Sequence, residues 1–383
     1  MTKDLCQNIV AHTARYIFDG EKLLSNQALL IADNLVVALV DKHTVPDNLA
    51  ITDWGEKVIS RGMIDLQLNG CGGVLFNADI SLHTLETMHL CNLRFGTTGY
   101  LPTLITSPFN EVLKALETVK QWFSLYGNQR GVLGLHLEGP FIAREKRGIH
   151  QEEYILPPSE ELLEQIVAYR KYFPLKMTIA PECFTAAQIA YLIEHKVILS
   201  VGHSNASYQE AASAFKQGVT TVTHMFNAMS GMSARNPGVV AAALAMAPYL
   251  GVIVDLLHVD SANVALLNQF RAGKLYLVTD AVTPTGTAIS EFDFAGKHLW
   301  VREGKCVDKA GTLGGAYLTM NQALYNCVRY CDIPLAQALA MATRIPARIM
   351  GLEDELGKIK VGSRADLIVV DLNDFSCQLV TSS

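Results

Sequence analysis

The sequence predicts an α/β protein: a (β/α)8, TIM-like barrel with a small β-sandwich domain built from both chain ends. Three observations predict it. Eight short apolar runs recur between residues 62 and 282, each of strand length and apolar enough to be buried on both faces, as a parallel sheet requires. Helix-like segments lie between several of them, the alternation that an α/β barrel shows. Both chain termini, by contrast, read as short alternating strands and turns.

Taken in order, residues 1–60 alternate polar and apolar positions in ARYIFDGEKLL, QALLIADNLVVALV and EKVISRG. The barrel strands then follow as GMIDLQLNG (62–70), GYLPTLIT (99–106), GVLGLHLEG (131–139), LKMTIAPE (175–182), KVILSVGHS (196–204), TTVTHMFNA (220–228), LGVIVDLLHV (250–259) and LYLVTDAV (275–282). Helices are expected over 81–96, 107–127, 159–172 and 185–196. Residues 318–332 and 334–351 supply closing helices, with Pro334 at a helix start, where its fixed φ and missing N–H cost nothing. The tail, LGKIKVGSRADLIVVDLND, returns to β character with a turn at Gly362. The expected division is 1–60 plus 350–383 for the small β domain and 61–349 for the barrel. Chain termini commonly lie close together at a domain surface, which permits this.

Composition narrows the function. Of 383 residues, 50% are hydrophobic and 18% charged, enough apolar material for a large core. Lys plus Arg number 31 against 37 Asp plus Glu, a net charge of −6, which argues against a basic nucleic-acid binder. The longest apolar stretch, Val239 to Val254, is interrupted by Pro248 and Gly251 and closed by Asp255. That is too short for a membrane span and reads as a buried helix followed by a buried strand. The N-terminal MTKDLCQNIV has no apolar core of a signal peptide, and eight Cys without a C-x-x-C pair suit a reduced, cytoplasmic protein. Cys327 and Cys331, four apart on one helix face, are expected to pack in the core.

Polar residues then locate the chemistry. Most strand runs end in a carboxylate, imidazole or amide: Asp65, Gln67 and Asn69 on the first, His136 and Glu138 on the third, His203 on the fifth, His224 and Asn227 on the sixth, His258 on the seventh, Asp280 on the eighth. In a barrel the C-terminal strand ends converge on one mouth, so side chains far apart in sequence meet there. Glu138, His203 and His224 form a metal set, because two neutral imidazoles and one carboxylate leave a coordination position open. Asp280 is the expected proton carrier. Gly70, Gly72 and Gly73 follow no phosphate-loop spacing and read as tight turns.

The phrases GMIDLQLNGCGG, HLEGPF, VGHSNA, THMFNAMSG, LLHVD and LVTDA, with the C-terminal GKIKVGSRADLIVVD, resemble the amidohydrolase superfamily, most closely its phosphosugar deacetylases. The resemblance covers essentially the whole chain. It implies one divalent metal per subunit on Glu138, His203 and His224, zinc first, with iron, manganese, cobalt or nickel as alternatives. It implies Asp280 as general base and then general acid, hydrolysing the acetamido group of N-acetylglucosamine 6-phosphate. Many relatives carry His-x-His where this chain has Gln67-Leu68-Asn69. Neutral amides are poor metal ligands, so Gln67 and Asn69 are expected to orient ligands or bound water, a weak second metal site staying open.

The resemblance further implies substrate contacts from His150, Asn227, Ala228, His258 and Leu313. It implies that Arg235 reaches the phosphate site of a neighbouring subunit in a homodimer, with no nucleic-acid or membrane partner. Two rival readings stand beside it. An N-acyl-amino-acid deacylase would share the chemistry but have no use for Arg235 and His258. A non-catalytic barrel would have no reason to keep Glu138, His203, His224 and Asp280 together.

Overall fold

The central strands are covered on both faces, so even their polar residues, Asp65 and Gln67, His136 and Glu138, Lys176 and Thr178, are buried beside the apolar ones. Met63–Leu68 (β1), Leu135–Glu138 (β3) and Leu175–Ile179 (β4) are buried at every position. With Thr97–Ile105 (β2), Ile198–Val201 (β5), Thr221–Val222 (β6), Tyr249–Val252 (β7) and Leu275–Leu277 (β8) they form an eight-stranded parallel sheet in sequential order. The Leu68–Ala281 bridge brings the last strand back to the first, closing a (β/α)8 barrel. The computed structural model describes residues 9–380; residues 1–8, most of the segment read for a leader, and 381–383 lie outside the described residues.

Each strand is followed by a helix: Leu82–Leu93 (α1), Phe109–Tyr126 (α2), Glu160–Val167 (α3), Ala186–Glu194 (α4), Tyr208–Gln217 (α5), Gly238–Met246 (α6), Ser261–Arg271 (α7) and Met320–Tyr330 (α8). Their starts are written in the sequence. Thr185 and Gln188, and likewise Ser207 and Glu210, form capping boxes in which each side chain satisfies an otherwise free backbone N–H. Gly218 ends α5 at φ 117°, a conformation that costs glycine least. The apolar stretch 239–254 is α6 followed by β7, and Cys327 and Cys331 are buried in the barrel core.

The two chain ends meet in a single sheet. Leu367–Asp371 pairs antiparallel with Lys57–Arg61, which pairs parallel with Tyr16–Phe18. A second sheet of Leu35–Asp41, Gln27–Ala32, Val10–Thr13 and Ala50–Asp53 covers its outer face. The period-2 alternation of a strand does the sorting. Leu367 and Val369 face the small core with Leu29 and Ile31, while Ile368 and Val370 face the barrel core. The buried Arg61 guanidinium locks the join, donating to the Lys358 carbonyl at 2.7 Å, to the Arg364 carbonyl and to the Ser363 hydroxyl.

Two features depart from expectation. The sixth, seventh and eighth strands stop early, at Val222, Val252 and Leu277, rather than running to residues 228, 259 and 282. His224, Phe226, Ala228 and Leu256 take positive φ angles, which break a β ladder. A four-stranded antiparallel sheet, Glu291–Phe294, Lys297–Arg302, Lys305–Val307 and Leu313–Ala316, is inserted between β8 and α8. It packs Phe292, Phe294 and Leu299 against Leu75, Ile105 and Ile149 at the barrel mouth.

Candidate active site

The strand ends deliver their polar residues to one cavity of about 310 Å³ at the C-terminal mouth. Asn69, Glu138, His150, His203, His224, Asn227, Ala228, His258, Asp280 and Leu313 all line it. His203, His224 and Asp280 have φ angles of 48°, 27° and 52°. These left-handed turns just past the strand ends aim the side chains inward, and such strain is characteristic of functional positions.

Three atoms converge at the floor. His203 Nε2 and His224 Nε2 lie 3.1 and 2.9 Å from Glu138 Oε1 and 3.1 Å from each other. His203 Nδ1 sits 2.8 Å from the Lys146 carbonyl, which can only accept, so Nδ1 carries the proton. Nε2 is the nitrogen left to face the Glu138 carboxylate oxygen and the His224 ring, and as a metal ligand it would present its lone pair there. The N–H to a backbone carbonyl is the support that metal-binding histidines use. His150 also brings a ring nitrogen within 4.8 Å of ligand atoms of Glu138 and His203. Its Nδ1, however, is 2.8 Å from Thr106 Oγ1, and its ring packs against that of His203 at 4.3 Å.

The amides of Gln67, in β1, and Asn69, just past its end, bind the carboxylates. Gln67 Nε2 donates to Glu138 Oε1 at 3.0 Å and to Asp280 Oδ1 at 3.1 Å, and Asn69 Nδ2 donates to Asp280 Oδ1 at 2.7 Å. Both donors use Oδ1, which leaves Asp280 Oδ2 for reacting groups. Burial, then the negative charge of Glu138, pushes the Asp280 carboxyl up to about 7.

At the opposite wall His258 Nδ1 lies 2.6 Å from Asp255 Oδ2. Burial lowers the His258 pKa, but the hydrogen bond and charge of Asp255 outweigh it and raise it above the ordinary imidazole value. That shift favours the cationic form of the ring, which suits an anionic group. His258 stands six residues beyond β7, on a loop folded back by Asp255, and is not at the strand end as the sequence suggested. Arg235 is exposed within 231–236 and is not in the wall of this cavity. His136 is fully buried below the floor, between Thr103, Thr178 and Lys176, and not in the cavity.

Sequence reasoning missed several contributors. Asp255 was read only as the end of an apolar run. Thr106 and the Lys146 carbonyl left no signal. Gly315, by contrast, is one of a glycine pair that the sequence itself offers for close backbone approach, and it lets the inserted sheet approach the chain just past β8: a Cβ there would lie 2.4 Å from Val282 Cγ1 and 2.9 Å from the Asp280 carbonyl, at φ 67°.

A barrel whose mouth gathers a Glu/His/His cluster beside an aspartate is the arrangement of a metal-dependent amide hydrolase. Residues 58–383 match the Amidohydrolase family, and the chain belongs to it. Among curated relatives, it is 38% identical over 360 residues to the N-acetylglucosamine-6-phosphate deacetylase of Haemophilus influenzae, covering 93% of this chain and 94% of that one. It is 36% identical over 373 residues to the N-acetylgalactosamine-6-phosphate deacetylase of a Shewanella species, covering 95% and 92%. The crystal structure of N-acetylglucosamine-6-phosphate deacetylase from Pasteurella multocida superposes with a TM-score of 0.93 at 41% identity, covering 98% of both chains. Among the described residues no helix is long and apolar enough to cross a membrane.

Proposed function

We propose that this chain hydrolyses the acetamido group of N-acetylglucosamine 6-phosphate to glucosamine 6-phosphate and acetate. The convergence of Glu138, His203 and His224 beside Asp280, in a cavity that also presents the Asp255-supported His258, carries the reading. Glu138, His203 and His224 are the ligand set, because their three atoms share one centre, whereas His150 is drawn aside to Thr106. The donor set suits zinc, with iron, manganese, cobalt and nickel as alternatives. Bound there, a divalent cation polarises the amide carbonyl and lowers the pKa of a water.

The chain's own residues do the rest. Asp280 Oδ2 accepts a proton from the attacking water and delivers it to the sugar nitrogen as the C–N bond breaks. Gln67 and Asn69 hold Oδ1 throughout, so the free oxygen keeps its aim. His258 receives the phosphate, His150 the region of the acetyl carbonyl, and Asn227, Ala228 and Leu313 the sugar. Arg235, exposed on its own subunit, reaches the phosphate site of a second copy in a cytoplasmic homodimer. Residues 1–60 with 350–383 form the small β domain, and 61–349 the catalytic barrel.

The experiment is acetate release from N-acetylglucosamine 6-phosphate, its galacto epimer and unphosphorylated N-acetylglucosamine, with elemental analysis of the protein. Turnover of the phosphorylated gluco sugar with about one metal per subunit is expected. In the same assay Arg235→Ala raises KM for the phosphosugar by about tenfold or more and leaves the unphosphorylated sugar unchanged. Faster turnover of the galacto epimer reassigns the substrate, and no acetate from any of the three overturns the reading.

A further inference from the structure

The seam between β8 and β1 is held differently from every other in the barrel. The other neighbouring strands share ladders of two or more paired residues, whereas β1 is joined to the chain just past β8 by the single bridge Leu68–Ala281. Around it Asp280 N donates to the Gln67 carbonyl and Asn69 N to the Ala281 carbonyl, each at 3.0 Å. A side chain completes the join. Asp65, 1% exposed and outside the cavity wall, accepts at Oδ1 from Gln67 N (3.1 Å) and Thr279 N (3.3 Å), and at Oδ2 from the Thr279 hydroxyl.

The network surrounds the proton carrier. Thr279 precedes Asp280, and its Oγ1 accepts from Ala281 N, the residue that follows, at 3.1 Å. Across the seam, Gln67 carries the amide that spans Asp280 and Glu138. We propose that Asp65 is a positioning residue for the hydrolytic step: by stapling β1 to β8 it sets where Asp280 stands relative to Glu138.

The chemistry requires a carboxylate there. Three donors point at one side chain, and only a group that accepts at both oxygens satisfies them. Asparagine would turn its NH2 toward the Thr279 hydroxyl and leave that buried proton without an acceptor. The proposal rests on the reading of Asp280 as the proton carrier and adds a residue that touches neither substrate nor cation.

The test is steady-state acetate release with metal analysis for wild type, Asp65→Asn, Thr279→Val, Thr279→Ser and the Asp65→Asn/Thr279→Val double variant. Misplacing a catalytic group by a fraction of an ångström to one ångström lowers kcat by about 100-fold, and this is expected for Asp65→Asn. KM and metal content stay within about twofold of wild type, because neither ligands nor substrate contacts change. Thr279→Val reproduces much of the loss, and Thr279→Ser, which keeps the hydroxyl, restores kcat. The double variant falls no further than Asp65→Asn, since both substitutions remove the same bond. Active wild type with kcat retained in both single variants overturns the role of Asp65 alone, as does a double variant with fully additive losses. An inactive wild type overturns the functional reading and this one with it. Should Asp65→Asn not fold, the Thr279 pair decides by itself: equal kcat in the Val and Ser variants refutes the staple.

Discussion

Replacing Asp280 by Asn separates proton transfer from everything else the side chain does. Its two amide donors, Gln67 Nε2 and Asn69 Nδ2, both bind Oδ1, at 3.1 and 2.7 Å. The amide oxygen of asparagine can occupy that position and keep both bonds, while the NH2 group takes the place of Oδ2 and cannot accept a proton. What disappears is the general base. That loss lowers kcat by about 10²- to 10⁴-fold, equivalent to about 3–5 kcal/mol of barrier. The assay is acetate release at saturating substrate, paired with elemental analysis. Metal content should match wild type, because Glu138, His203 and His224 are untouched. The sign of the pH effect also follows. Burial, then Glu138, raises this carboxyl to about 7, so its ionised, proton-accepting form is lost as pH falls through that value. A bound cation draws the value down, which places the acidic limb of kcat at or below about 7, and the Asn variant lacks that limb. A variant with kcat within about tenfold of wild type, or one that fails to load metal, refutes the assignment.

Two further outcomes are expected. Asp255→Asn removes the partner whose hydrogen bond and charge raise the His258 pKa, so KM for the phosphosugar rises by about 5- to 20-fold, the worth of one charge-assisted hydrogen bond, with kcat little changed. Because the His258 pKa is raised, its cationic form is lost as pH rises, and the alkaline climb in KM starts at lower pH in the variant; identical KM–pH curves contradict this. Gly315→Ala places a Cβ 2.4 Å from Val282 Cγ1 at φ 67°, costing about 2–3 kcal/mol of stability and shifting the Asp280 backbone. A drop in Tm together with lower kcat is the signature, and an unchanged Tm would show that the inserted sheet yields freely.

Local patterns account for what could be read in advance. Strand-length runs rich in Leu, Ile and Met mark β1, β3 and β4, and Ser and Thr caps mark the starts of α3, α4 and α5, because both signals act within a few residues. The barrel's alternation then follows from composition along the chain. The inserted sheet was not read in advance, because what places Glu291–Ala316 over the mouth is packing on Leu75, Ile105 and Ile149, distant in sequence. The early end of β6 was hidden too, since THMFNA is as β-prone as the residues before it and only the left-handed turn at His224 stops the strand.

The same division holds at the site. The sequence alone determined which chemical groups are present and that they end strands: Glu138, His203, His224 and Asp280, with amides at 67 and 69 in place of imidazoles. Barrel closure decided that Glu138 and His224, 86 positions apart, point at one centre, and that Gln67 reaches Asp280 across 213 positions. It also decided the partners that set each group's state, Lys146 for His203, Asp255 for His258 and Asp65 for the seam beside Asp280. Strand-forming tendency is a property of neighbours along the chain, whereas charge, proton affinity and aim depend on distances in space, which exist only once the barrel has closed.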